Sequence, residues 1–138
     1  MIRALDRLLD HVTMYRLVLY YLTGLLAGAL ILALFKAVPH SPFALAFSTL
    51  AILAACWVTN RLFAAVFEVP ANVESIYITA LILALIVDPI VPTDWWGIGT
   101  LAFMSFWAMA SKFIFAIGRR HIFNPAAFAV AISALGEY

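Results

Sequence analysis

The chain has 138 residues, of which 67% are hydrophobic and only 11% charged, and its formal net charge is +1. Soluble domains are nearer half apolar and a quarter charged. This composition, with a mean hydropathy of +1.08, excludes a water-soluble globular domain, a disordered chain and a nucleic-acid binder, and defines an all-α integral membrane protein.

The chain opens on Met-Ile-Arg-Ala-Leu-Asp-Arg-Leu-Leu-Asp-His-Val. Met1, Leu5, Leu8, Leu9 and Val12 fall near helical spacing, with Arg3, Asp6, Arg7 and Asp10 between them. This predicts an amphipathic interfacial helix over residues 1–12, followed by a transmembrane domain over residues 13–138. About five apolar segments follow: Tyr15–Ala37, Phe43–Phe67, Ser75–Ile90, Trp96–Ile117 and Asn124–Tyr138. A helix needs roughly 20 residues to cross the hydrocarbon core. The first, second and fourth segments meet that length, whereas the third is short and ends at Asp88-Pro89. The fifth stops at Tyr138 without the flanking positive charge or polar linker that usually closes a span, so the expectation is a chain truncated at its C-terminus. Arg3, Arg7, Arg16, Arg61, Lys112, Arg119 and Arg120 all fall on one side of such a bundle, and only Lys36 on the other. The bias predicts a multi-pass protein of the cell's inner membrane with a cytoplasmic N-terminus, and Trp95 and Trp96 at the outer interface.

Cys56 is the single cysteine, which excludes an internal disulfide and a cysteine-built metal site. It is expected to pack as a small apolar side chain. His11, His40 and His121 lie on different loops or opposite sides and do not form a helical haem-ligand pair, and no metal site is expected. Gly24 and Gly28 form a G-x-x-x-G that permits close helix approach.

Polar groups inside a membrane are where chemistry is sought, because lipid cannot satisfy them. The richest stretch runs from Lys112 through Gly118, Arg119, Arg120 and His121 to Phe123-Asn124-Pro125. Asn124-Pro125 reads as a helix start, with Asn at the cap and Pro at the first helical position. Such an N-terminus also presents unpaired N–H groups and a positive dipole end. Asn124 adds an amide that donates and accepts, His121 a second polar contact, and Phe123 a flat stacking surface. The same groups suit a flavin, a quinone or a lipid headgroup. In the second stretch, Asn72, Ser75 and Thr79 share one helix face; they mark either a helix–helix contact or a cavity. Lys112 is expected to snorkel to the cytoplasmic interface, and Asp88 to be a loop carboxylate at the outer end.

Ser111-Lys112, Gly118 and Phe123-Asn124-Pro125-Ala126, preceded by Ser75, Ile78-Thr79-Ala80-Leu81, Ala84-Leu85 and Pro89, resemble two motifs of one family. These are the membrane flavoprotein subunits D of the Rnf complex and B of the sodium-pumping NADH:quinone reductase. The resemblance covers about Asn72–Val130. It implies a urea-channel-like fold of two inverted halves, of which this chain corresponds to the first, with about five transmembrane helices. It also implies a noncovalent flavin, riboflavin or FMN, near the cytoplasmic face of an electron-transfer oxidoreductase. This chain would be a component of such an enzyme rather than a complete one. The covalent FMN motif of the family's second half is absent from these residues. The riboflavin-associated pair maps to His121 and Asn124, where His121 replaces the family's usual asparagine. Phe123 would stack on the ring, Ser75 and Thr79 would face it, and Lys112 would stabilise its reduced, anionic form. No catalytic residue is assigned. The implied partners are membrane lipid and either a second copy, the missing second half, a reductase module or other electron-transfer subunits. The alternatives from other classes are a transporter or channel half and a structural membrane anchor.

Overall fold

A computed structural model describes residues 13–70, 73–117, 120–121 and 124–136. The interfacial helix expected over residues 1–12 lies outside the described residues. Five helices are seen: α1 (Met14–Leu34), α2 (Pro42–Val66), α3 (Val73–Ile86), α4 (Trp95–Ile114) and α5 (Pro125–Gly136). Between α4 and α5 a two-residue strand, β1 (Ala116–Ile117), pairs antiparallel with β2 (Arg120–His121). Three helices, α1, α2 and α4, are long and apolar enough to cross a membrane, while α3 and α5 are shorter apolar helices. The short third segment expected from the sequence is shorter still as a helix, ending at Ile86 rather than Ile90. The fourth ends at Ile114 rather than Ile117, because the chain turns into the β1–β2 pairing there.

Local chemistry explains the boundaries. Ser41 precedes α2 and its Oγ accepts from the Ala44 N–H at 3.0 Å, with Pro42 at the first helical position; both are strong start signals. Asp94 caps α4 in the same way, accepting from the Gly97 N–H at 2.9 Å. A Cβ at position 97 would lie 2.5 Å from Asp94 Oδ2 and 2.8 Å from Ile90 Cγ2, so the close approach of this cap requires glycine. Helices α1 and α2 stop without glycine. Lys36 and Glu68 take φ values of 56° and 53°, and the following residues donate back: Ala37 to the Leu32 carbonyl at 2.9 Å and Val69 to the Ala64 carbonyl at 3.1 Å. These bonds satisfy carbonyls that a helix end otherwise leaves open.

Successive helices run in alternating directions, and side-chain contacts pin the two ends. At one end Arg16, at the start of α1, pairs with Glu74, at the start of α3, at 3.1 Å. At the same end Lys112 of α4 reaches Ser75 of α3, and Phe113 of α4 stacks on Phe63 and Phe67 of α2 with centroids 5.5 and 5.8 Å away. We call this the basic end. At the other, the tryptophan end, Ser48 of α2 holds the loop after α3 by accepting from the Ile90 N–H at 2.8 Å and donating to the Ile90 carbonyl at 3.2 Å. Trp95 and Trp96 are 80% and 89% exposed there, as interfacial indoles are.

Helices α2 and α4 run parallel and form the centre of the bundle; α5 packs on α4 and also touches α3, and α1 leans on α3. The core joins Ile52 and Cys56 of α2, Ile76, Ala80 and Leu83 of α3, Leu101, Ala108 and Met109 of α4, and Ala126 and Ala129 of α5. Ala108, Ala126 and Ala129 are fully buried; small side chains let neighbouring helices approach closely where lipid offers no hydrophobic drive. Cys56 is buried, as expected. Helix α1 buries only Leu22 and Ala33, and a Cβ at Gly24 or Gly28 would meet nothing within 4 Å. The G-x-x-x-G face has no described helix against it. Large apolar side chains cover the outside, among them Tyr20, Tyr21, Leu50 and Leu62, the surface a lipid-contacting bundle requires.

Candidate functional site at the basic end

Three of the six sequence-predicted site residues meet. Lys112 lies at the C-terminal end of α4, on the face toward α3. Helical side chains lean toward the helix N-terminus, so the lysine stem runs back into the bundle. Its Nζ donates to the Ser75 carbonyl at 2.8 Å and to Ser75 Oγ at 3.0 Å. The same carbonyl accepts from Thr79 Oγ1 at 2.9 Å, the back-bond that threonine makes within a helix. The expectation that Lys112 snorkels to the interface is therefore corrected: the residue is 7% exposed and its ammonium faces inward. The reason is the position of Ser75, which offers two acceptors within reach of the stem, whereas snorkelling would require the stem to bend against its natural lean.

No carboxylate pairs with Lys112 among the described residues. Glu74, next to Ser75, is occupied by Arg16 at the surface. Glu68 is exposed beyond the end of α2, and Asp88 and Asp94 belong to the other end, where Asp88 is the exposed loop carboxylate expected. An unpaired buried cation is costly in a protein interior and more so in lipid.

Asn124 stands apart from this trio. It is exposed, and its Oδ1 accepts from the Ala126 N–H at 3.1 Å, so it caps α5 as its sequence position suggests. It makes no hydrogen bond to Ser75, Thr79 or Lys112. Around it the α4–α5 junction is aromatic: Phe128 lies edge-on to Phe115 at 5.2 Å and to Trp107 at 6.4 Å. The backbone of His121 belongs to β2; the His121 side chain and Phe123 lie outside the described residues.

Sequence reasoning missed two buried polar groups. Asn60 of α2 is 4% exposed and Ser105 of α4 is fully buried; Asn60 Nδ2 and Ser105 Oγ have no hydrogen-bond partner among the described residues. The Cys56 thiol, a weak partner at best, is the polar neighbour of Ser105. The available signal was positional. Cys56 and Asn60 are four apart on α2, and Ser105 and Lys112 are seven apart on α4, so each pair shares a face. A polar residue at such a spacing inside an apolar run is a site candidate in its own right.

Comparison of the chain with family models, with curated proteins and with solved structures returns no match.

Proposed function

We propose that the basic end holds a noncovalent flavin and that the chain is the membrane part of an electron-transfer oxidoreductase. The observation that carries this reading is convergence. The Ser75 stretch and the Lys112 stretch, on which the family resemblance rests, are 37 residues apart yet hydrogen-bonded to each other, at the end where α5 begins. The groups present fit a flat ring with hydrogen-bonding edges. The first turn of α5 offers N–H groups and a positive dipole end, Asn124 an exposed amide whose Oδ1 is already held by the Ala126 N–H, and Phe115, Phe128 and Trp107 an aromatic surface. In this reading His121 and Phe123 join Asn124 around the ring. Ser75 and Thr79 hold Lys112 in place, and the lysine favours negative charge nearby through its field. When bound, the flavin supplies the electron-transfer chemistry, and the protein supplies position and electrostatics. The urea-channel-like half fold, the cytoplasmic placement of this end and a partner half or reductase module belong to the same proposal.

The test is purification in mild detergent. The protein is expected to carry flavin absorbance, or to acquire it on addition of riboflavin. Asn124→Ala is expected to weaken binding about tenfold, the loss of one hydrogen bond of about 1.4 kcal/mol. A colourless protein that takes up no riboflavin contradicts the proposal.

A further inference from the structure

Independently of the flavin reading, the outer face of the bundle carries an apolar groove with a cation at its rim. The groove, of about 770 Å³, is open and runs between α2 and α4, lined by Ala54, Ala55 and Val58 on one side and Ala102, Phe103 and Phe106 on the other. The alanines leave the space, and Phe103 and Phe106 are held as a wall by edge-on contacts to Trp107 at 6.3 and 5.7 Å. Ala54, Val58 and Arg61 follow at steps of four and three, so Arg61 stands beyond the groove on the same face of α2, toward the basic end. Its guanidinium lies over the Trp57 ring, 5.0 Å from the centroid. Arg61 is thus set back from Val66, the last residue of α2, by about 7.5 Å of helix, and its side chain leans further back over Trp57 instead of reaching out past the helix end. No described carboxylate pairs with it: Glu74 is held by Arg16, and Glu68 is exposed beyond the end of α2. A guanidinium stacked on an aromatic ring still presents its in-plane N–H groups, and that fork matches a phosphate.

We infer that this face binds a phospholipid of net negative charge, with its phosphate on Arg61 and one acyl chain in the groove between α2 and α4. The direction fits. Arg61 lies toward the basic end, and the groove extends from Val58 back to Ala54, at the midpoint of α2, which is the order of headgroup and chain in the leaflet at that end. The apolar walls hold the chain by close packing. The unpaired guanidinium selects the headgroup, because an anionic lipid gains from a nearby cation whereas a choline headgroup brings its own.

Native mass spectrometry of the detergent-purified protein, titrated with phosphatidylglycerol and phosphatidylcholine of identical acyl chains, tests this. The wild type is expected to prefer phosphatidylglycerol about tenfold, the worth of one charge-assisted contact. Arg61→Gln is expected to bring the two lipids to equal affinity, and Arg61→Lys, which keeps the charge without the planar fork, to fall between. Ala102→Leu fills the groove and leaves Arg61 in place; it is expected to weaken both lipids. Arg61 and Ala102 are exposed, so these variants leave the core intact. Equal binding of the two lipids by the wild type overturns the proposal. So does a preference that persists in Arg61→Gln, or lipid binding that Ala102→Leu leaves unchanged. A dimer that takes up neither lipid overturns it as well and gives the groove to a second copy.

Discussion

At the tryptophan end the polar side chains close on nearby backbone: Ser41 on Ala44, Asp94 on Gly97, and Ser48 on both polar groups of Ile90. At the basic end a lysine is drawn into the interior onto Ser75, with no carboxylate paired to it among the described residues. Both ends occur in one chain under the same lipid constraint, so burial alone does not explain the difference. The contrast separates residues that hold the fold from residues that the proposal assigns to a ligand.

Substitutions at the tryptophan end should therefore cost stability and leave ligand binding alone, whereas those at the basic end should do the reverse. The largest loss is expected for Gly97→Val. Its Cβ would collide with Asp94 and Ile90, and overpacking of this kind costs about 1–3 kcal/mol, to which damage to the Asp94 cap adds about 1 kcal/mol. Ser48→Ala should follow at about 2 kcal/mol, because it strips both partners from the Ile90 peptide groups. Thermal unfolding in detergent reads both, and flavin content should not change. If either substitution removed bound flavin while the fold persisted, the division between the ends would fail. At the basic end, Lys112→Met should leave stability unchanged or raise it by about 1 kcal/mol, since replacing a buried charge by an apolar side chain of similar length is often neutral or stabilising; a loss of several kcal/mol would instead make the lysine a structural member. The smallest effect is expected for Glu68→Gly. Glu68 sits at φ 53°, where glycine avoids a strain of about 1 kcal/mol, so a modest rise in unfolding temperature should follow.

Much of the architecture was legible in the sequence because lipid makes its demands visible: apolar runs of sufficient length, separated by Pro, Ser and charged turns, gave the helices to within a few residues. Asn124-Pro125 was legible as a helix start because its chemistry is local. The inward lysine was not, since its direction depends on where Ser75 falls after α3 docks on its neighbours, a fact of packing rather than of spacing. Asn60 was passed over for the same reason: an asparagine inside an apolar run has no sequence partner, and only the meeting of α2 with α3 and α4 shows that it is buried. The Ser48–Ile90 clamp joins residues 42 positions apart, beyond the reach of any local pattern.

The most direct test of the account is to identify the small molecule that accompanies the purified protein. Wild-type protein and Asn124→Ala, extracted in the same mild detergent and denatured, should release flavin in unequal amounts, near stoichiometric for the wild type and much reduced for the variant. Wild-type protein that is folded, releases no flavin and fails to bind added riboflavin would contradict the claim that the basic end is a flavin site.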